Sequence, residues 1–378
     1  MVDWKIPLYK VYCDEDDVET VARVIRRGTY WAIGPEVEEF ERAAADYLGV
    51  RYCVSFNSGT SALHAALLAH GIGSGHEVIV PSFTFIATAN AALFVGAKPV
   101  FADIETGTFG LDPNDVEKKI TEKTKAIVPI HYGGLPCRIR ELKEIAEKHD
   151  LVLIEDAAES IGASINGHKV GSFGNSGMFS FCGNKVITTG EGGMVVTDAG
   201  EVFERLKLVR SHGRVDSEPY FMTAKSLGYV ALGYNWRISS ITAALGLSQL
   251  RKLDRVVEMR RKNAEYLDKE LSTIEGLDIR VFPEGYSSVY QMYSVRVKAG
   301  PTGRDELRAH LSDKLIITKI FFEPVHETPF YRELFGNREW GLPTTEMLSG
   351  EVLTLPLYPT MSLEELNYLV DSIKDFFR

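Results

Sequence analysis

Residues 179–193, FSFCGNKVITTGEGG, place one lysine, Lys185, between a short apolar run and a glycine-rich turn. The apolar run predicts a buried strand, and the Thr-Gly-Glu-Gly-Gly sequence predicts a tight turn after it. A lysine that loses its proton through burial can attack a carbonyl carbon, which is the chemistry of Schiff-base formation. Most lysines in loops are hydrated surface charges, so this segment alone leaves both roles open.

A second segment, residues 57–63 (NSGTSAL), follows a predicted strand and begins an apolar helix. Backbone amides at a helix N-terminus, a glycine that allows close approach and two hydroxyl side chains together suit a phosphate group. Ser58 or Thr60 can equally be an ordinary helix N-cap. A Walker A loop is excluded, because no Gly-Lys-Ser/Thr follows.

A third segment, residues 154–160 (IEDAAES), places Asp156 at the carboxyl end of a predicted buried strand, where open α/β sheets bind ligands. An acid at this place can also hold a ribose hydroxyl or a metal ion. Neither role has its companion residues, because the chain lacks an early Gly-x-Gly-x-x-Gly and a cluster of metal ligands. We therefore predict no metal site.

The composition is that of an ordinary globular protein. The chain has 378 residues, a formal net charge of −10, 45% hydrophobic and 25% charged residues. The length favours two domains, and the negative charge argues against nucleic acid and anionic membranes as main partners. The most apolar stretch, residues 82–101, is interrupted by polar residues and by Gly-Ala-Lys-Pro, so we predict a buried helix and a strand there rather than a membrane span. The four cysteines show no metal or redox spacing, and the N-terminus shows no signal peptide, so we expect a cytoplasmic protein.

Short β-branched runs alternate with helical patterns up to residue 197, which predicts an α/β fold with a mostly parallel central sheet. From 239 to 271 the pattern is one long or two abutting helices, and a smaller α+β domain follows. We predict a large domain over residues 1–245 and a small domain over 246–378. The predicted strands are 52–56, 77–81, 99–103, 126–130, 151–155, 177–181 and 194–197, with a further strand at 315–320 and a final helix from 363.

Together these segments resemble the DegT/DnrJ/StrS sugar-aminotransferase family of pyridoxal-phosphate enzymes, which have fold type I. The resemblance covers nearly the whole chain and is most specific at the lysine segment. Its other motifs lie at residues 28–40, 58–60, 81–90, 155–158 and 233–237.

The resemblance implies a role for each matched residue. Lys185 would form the Schiff base with pyridoxal 5'-phosphate and then move a proton. Asp156 would pair with the pyridine nitrogen, and Gly59, Thr60 and Ser180 would bind the phosphate.

Three further residues would complete the cofactor site. Phe85 would lie against the ring, although it can also be a core aromatic. Asn235 would reach the phosphate of a neighbouring subunit, which implies a homodimer with shared active sites. Glu159 would stand near the cofactor's 3-oxygen, where many relatives carry glutamine or histidine. A glutamate occurs at this place in some nucleotide-sugar 4-aminotransferases of the family, and we expect it to share a proton with that oxygen.

The resemblance implies L-glutamate as amino donor and the keto group, at C4, of a nucleotide-linked deoxysugar as acceptor. Tyr30, Trp31 and His326 are candidates for the sugar pocket, and each can instead be a packing residue. His131 is more simply structural than catalytic. The alternatives are a sugar dehydratase with the same cofactor, in which histidine replaces the lysine, a regulatory paralogue without activity, and a nucleotide-dependent dehydrogenase, whose glycine fingerprint is missing.

Overall fold

The computed structural model describes residues 3–215, 228–336 and 338–378. Its centre is a seven-stranded sheet with the order β1-β9-β8-β5-β4-β2-β3. All neighbouring strands run parallel except β9, which is antiparallel to both β1 and β8. The strands are β1 (Tyr52–Phe56), β2 (Glu77–Pro81), β3 (Lys98–Ala102), β4 (Thr124–Ile127), β5 (Val152–Asp156), β8 (Ser176–Ser180) and β9 (Gly193–Thr197).

Helices cover this sheet on both faces, because successive side chains of each strand point to opposite sides. In β2, Ile79 packs in one core cluster, and Val78 and Val80 pack in the other. The described helices of this region are α1 (Glu15–Arg27), α2 (Pro35–Leu48), α3 (Gly59–Ala69), α4 (Ala87–Phe94), α5 (Pro113–Lys119), α6 (Ile139–Lys148), α7 (Gly200–Arg210) and α8 (Ser240–Arg251). None of the described helices is long and apolar enough to cross a membrane.

A second core lies in the C-terminal region, around a three-stranded antiparallel sheet of order β10-β12-β13. Its strands are β10 (Leu277–Ile279), β12 (Tyr293–Val297) and β13 (Val352–Leu355). Its helices are α9 (Leu253–Leu271), α10 (Gly300–Asp313), α11 (Pro329–Phe335), α12 (Pro343–Glu351) and α13 (Leu363–Phe376). A small third sheet joins β11 (Tyr286–Ser287) to β6 (Ser164–Ile165) and β7 (His168–Lys169), and so links the two regions.

The fold class predicted from the sequence is confirmed, and the strands predicted for the central sheet lie within one residue of their expected places, except β4, which begins two residues and ends three residues before the predicted 126–130. The helical pattern at 239–271 is two abutting helices, α8 and α9. The strand predicted at 315–320 is wrong: Ile316 and Lys319 form only isolated bridges to Ile6 and Thr354, and Leu315 has a φ of 59°, which is not extended backbone. The domain boundary predicted at 245/246 falls inside α8 and stays a prediction.

Asp103, directly after β3, caps a helix of the C-terminal region. Its carboxylate accepts hydrogen bonds from the backbone amides of Thr344 (3.0 Å) and Thr345 (2.8 Å) and from the Thr345 hydroxyl (2.8 Å). These amides belong to the first turn of α12, which has no acceptors of its own for them. A buried side chain of one region therefore supplies the N-terminal cap of a helix in the other.

We predict that Asp103→Ala lowers the free energy of unfolding by about 2 to 4 kcal/mol, because it removes a cap and leaves buried amides without acceptors. Asp112→Ala is the matched control, since Asp112 caps only its own short helix α5, through the Asn114 amide at 3.0 Å. We expect the control to cost about 1 kcal/mol. Chemical denaturation measures both, and equal losses would contradict the role of Asp103.

Candidate active site

The three residue types singled out from the sequence meet at one edge of the central sheet. Asp156 is the last residue of β5, Ser180 is the last residue of β8, and Lys185 follows in the loop after β8. Helix α3 begins at Gly59, just after β1. Because parallel strands end at the same edge, residues distant in sequence are brought together there.

The lysine amine faces a buried carboxylate. Lys185 Nζ lies 3.6 Å from Oε1 of Glu159, with side-chain exposures of 14% and 4%. The other oxygen of Glu159 accepts a 2.8 Å hydrogen bond from the Gly133 amide. Burial raises the pKa of Glu159, although the Lys185 charge and the Gly133 amide act in the opposite direction. The net result is a pKa of Glu159 above its ordinary value, so the neutral carboxyl is favoured more at this place than in water.

Asp156 is a second buried acid next to the lysine. Its Oδ2 accepts a 2.7 Å hydrogen bond from the Thr88 hydroxyl, and its Oδ1 accepts one from the Ala158 amide at 3.2 Å. Burial raises the pKa of Asp156, while these donors and the charge of Lys185 lower it. A cationic partner would therefore find a preoriented acceptor in Asp156. The contribution of Thr88 could not be found from the sequence, because nothing near it in the chain points to Asp156.

The start of α3 has the features of an anion cradle. Ser58 caps the helix by accepting a hydrogen bond from the Ser61 amide at 3.1 Å, so the N-cap alternative holds for Ser58. No acceptor among the described residues takes the amides of Gly59 and Thr60, which therefore remain free for an anion. Gly59 is tightly packed, since a Cβ there would stand 2.9 Å from the Cβ of Ser180. The proximity of Gly59 to Ser180 brings together residues predicted to share one ligand.

A buried hydrogen-bond network centred on Glu155 lies next to Asp156, and the sequence did not predict it. Glu155 accepts hydrogen bonds from the amides of Gly171 (2.7 Å), Phe173 (2.6 Å) and Gly174 (2.7 Å), and its Oε2 lies 2.9 Å from Nε2 of His131. The Cys137 amide donates to Nδ1 of His131, so Nε2 carries the proton and donates to Glu155. His131 is fully buried in this network, which supports its structural interpretation.

The aromatic and histidine candidates lie near the carboxyl end of β2, since Phe85 follows this strand and His326 bonds to Ser82. Phe85 is 59% exposed, and its ring centroid is 6.4 Å from that of Phe322, so it is not a core aromatic. His326 is held by Ser82: its amide donates to the Ser82 hydroxyl at 3.0 Å, and Nδ1 lies 2.7 Å from the same oxygen. Burial lowers the pKa of His326, which favours the neutral ring.

The remaining predicted residues are Tyr30, Trp31 and Asn235, and all three are exposed. Tyr30 and Trp31 are exposed between α1 and α2, and the Trp31 indole donates to the carbonyl of Val24 at 3.1 Å. Asn235 is exposed and pairs with Ser211 through the backbone. Their exposure leaves them available to a substrate or to another subunit. Within the described part of the chain, no group of three or more histidine, cysteine, aspartate or glutamate side chains is placed to hold a metal ion.

A mostly parallel sheet that gathers a lysine, a buried aspartate and a helix N-terminus at one edge has the architecture of pyridoxal-phosphate-dependent aminotransferases. The sequence model of the DegT/DnrJ/EryC1/StrS aminotransferase family matches residues 11–374. The chain therefore belongs to this family, and its activity is that of a sugar aminotransferase.

Individual relatives agree with this assignment. The chain is 36% identical to GDP-perosamine synthase from Escherichia coli O157:H7, over 98% of both chains. Among solved structures it is similar to S. venezuelae DesV in complex with a ketimine intermediate (33% identity, 99% and 98% of the two chains, TM-score 0.89). It is also similar to the PLP form of the putative sugar aminotransferase Spr1654 from Streptococcus pneumoniae (27% identity, 98% of both chains, TM-score 0.91).

The raised pKa of Glu159 predicts how stability depends on pH. The folded state favours the neutral carboxyl more than the unfolded state does. The protonated Glu159 therefore stabilises the fold fully below 4.5, the ordinary pKa of the unfolded chain, and this stabilisation is lost as the pH rises through the higher pKa of the folded state. Glutamine mimics the neutral carboxyl at every pH. The ligand-free Glu159→Gln protein should therefore gain stability relative to wild type between pH 5 and pH 8, by about 1.4 kcal/mol for each unit of the shift.

Denaturation of both proteins across this range measures the difference. Glu144→Gln is the control, because Glu144 is exposed on α6 and its carboxylate is hydrated in the folded and unfolded states. A difference between Glu159→Gln and wild type that stays constant with pH would contradict the assignment.

Proposed function

We propose that this chain is a pyridoxal-phosphate aminotransferase that moves an amino group from L-glutamate to the keto group, at C4, of a nucleotide-linked deoxysugar. The observation that carries the proposal is the position of Lys185 Nζ, 3.6 Å from the buried Glu159 carboxyl and close enough to Asp156 to affect its pKa. A primary amine beside two buried acids, at the carboxyl ends of the strands, is the arrangement that a Schiff-base cofactor requires.

The residues present fit pyridoxal 5'-phosphate. The free amides of Gly59 and Thr60, beside the Ser180 hydroxyl, suit a phosphate dianion. Asp156 suits a protonated ring nitrogen, because a cationic donor would offset the burial of its carboxylate. Lys185 supplies the primary amine, and the exposed Phe85 ring is free to cover one face of the cofactor.

When bound, pyridoxal phosphate supplies an aldehyde that condenses with amines and a ring that stabilises negative charge at the donor's α-carbon. The side chains of the protein would move the proton and hold the cofactor in its protonation state. Nζ of Lys185 would take the proton from the α-carbon of glutamate and pass it to the cofactor; with the keto-sugar, the same amine would move a proton in the reverse direction, from the cofactor to the sugar carbon that receives the amino group. Asp156 would keep the ring nitrogen protonated, and Glu159 would share a proton with the 3-oxygen, because two anionic oxygens close together would repel each other.

A relative supports a nucleotide-linked acceptor. GDP-perosamine synthase makes, by its name, a GDP-linked sugar, so we infer a nucleotide-linked substrate for this chain. Tyr30, Trp31 and His326 remain our candidates for the sugar pocket. We also infer a homodimer in the cytoplasm, in which Asn235 of each subunit completes the phosphate site of the other; its exposed side chain is compatible with this role.

We predict that borohydride reduction of the protein loaded with pyridoxal phosphate attaches the cofactor covalently to Lys185, because this amine faces the predicted ring site. Peptide mass mapping should find the adduct on the peptide that contains residue 185. Lys185→Arg should give no adduct, and Lys169→Arg, which removes another partly buried lysine, should leave it unchanged. An adduct found only on other lysines would contradict the proposal.

We further predict that the visible band of the loaded enzyme disappears when L-glutamate is added and returns when a suitable 4-keto-6-deoxyhexose nucleotide follows. GDP-, UDP- and dTDP-linked keto-sugars should be compared, beginning with GDP. If the band disappears with glutamate but returns with none of the keto-sugars, the proposed acceptor is wrong and glutamate is supported as the donor. If glutamate does not change the band, the proposed donor is wrong.

A further inference from the structure

Gln291, from the C-terminal region, touches the loop that carries the lysine. It lies just before β12 and is 7% exposed. Its side-chain Nε2 donates a 2.7 Å hydrogen bond to the backbone carbonyl of Asn184, the residue that precedes Lys185. This bond ties the catalytic loop after β8 to a residue more than a hundred positions away.

The orientation of the Gln291 amide is determined by this carbonyl, because only the NH2 group can donate to an acceptor. The other atom, Oε1, is buried and has no hydrogen-bond partner among the described residues. A cavity of about 20 Å³, lined in part by Gln291 and Asn184, has room for one water molecule beside them. A buried amide with a single protein partner is a poor choice for packing alone, since an apolar side chain would leave no polar atom to satisfy.

The backbone around Gln291 is itself held firmly. Arg260 of α9 is buried and donates to the carbonyls of Tyr290 (2.8 Å), Gln291 (2.9 Å) and Leu357 (3.1 Å). Because three carbonyls from two segments converge on one planar guanidinium, the Gln291 side chain projects from a fixed base.

The same segment also supports the acid opposite the lysine. The Met292 amide donates to the carbonyl of Gly133 at 3.1 Å, and the Gly133 amide donates to Glu159. Segment 288–292 is therefore connected to both Lys185 and Glu159. The Gln291 side chain holds the residue before Lys185, and the Met292 amide holds the Gly133 turn that binds Glu159.

We propose that Gln291 is a positioning residue, which holds the backbone of Asn184 and Lys185 so that Nζ stays directed at Glu159 and Asp156. The effect of Gln291 on catalysis rests on the proposed function, whereas its effect on the position of the loop does not. Without the bond, the carbonyl of Asn184 loses its donor, and the loop of residues 182–187 loses its tie to the C-terminal region.

The test compares Gln291→Met with Gln249→Met by hydrogen–deuterium exchange of the cofactor-free proteins. Methionine nearly preserves the volume of glutamine and removes the donor. Gln249 is the matched control, because it is also buried and also donates to a backbone carbonyl, that of Tyr12 at 3.0 Å. We expect amides 183–187 to exchange at least tenfold faster in Gln291→Met and at the wild-type rate in Gln249→Met.

In the loaded enzyme, Gln291→Met should lower kcat at least tenfold and change KM for glutamate less than threefold, because binding groups stay in place. If Gln291→Met does not fold, Gln291→Ala, which only removes atoms, takes its place. Unchanged exchange at residues 183–187, or equal acceleration in the Gln249 control, overturns the proposal. Faster exchange in a protein that takes up no pyridoxal phosphate would support the positioning role and refute the proposed function instead.

Discussion

The structure depends on bringing a lysine amine and two carboxyl groups into one poorly hydrated place. Lys185 and Glu159 have side-chain exposures of 14% and 4%, and Asp156 is likewise buried. Buried charges destabilise a fold unless they are paired and hydrogen-bonded. The surrounding chain meets this requirement with the Thr88 hydroxyl, the amide of Ala158 and the amide of Gly133, each at a hydrogen-bonding distance from one of the two acids.

These supports come from different parts of the chain, which explains why the site needs both regions of the molecule. The Gly133 turn follows β4, and segment 288–292 holds it from the C-terminal side. Asp103 makes a comparable connection at the far edge of the sheet by capping α12. In both places a polar group of one region satisfies backbone atoms of the other, so the two regions are joined by directed bonds as well as by apolar packing.

The sequence predicted the central sheet well because its strands are short, rich in apolar and β-branched residues, and separated by clear helical patterns. It failed at residues 315–320, where the same β-branched composition makes only isolated bridges. Composition reports that a segment is buried, but it does not report whether a neighbouring strand is available to pair with it. The exposed positions of Phe85 and Asn235 were also beyond its reach, since exposure depends on the packing of distant segments.

The sequence alone determines the chemical inventory of this protein: a lysine before a glycine-rich turn, an acid after a buried strand, and a glycine and hydroxyls at the start of a helix. These signals are local, because each depends on neighbours within a few residues. Only the tertiary structure decides that Lys185 faces Glu159, that Thr88 donates to Asp156 and that Gln291 holds the carbonyl of Asn184. Those contacts join residues from 26 to 107 positions apart, and such distances are set by the order of strands in the sheet and by the docking of the C-terminal region.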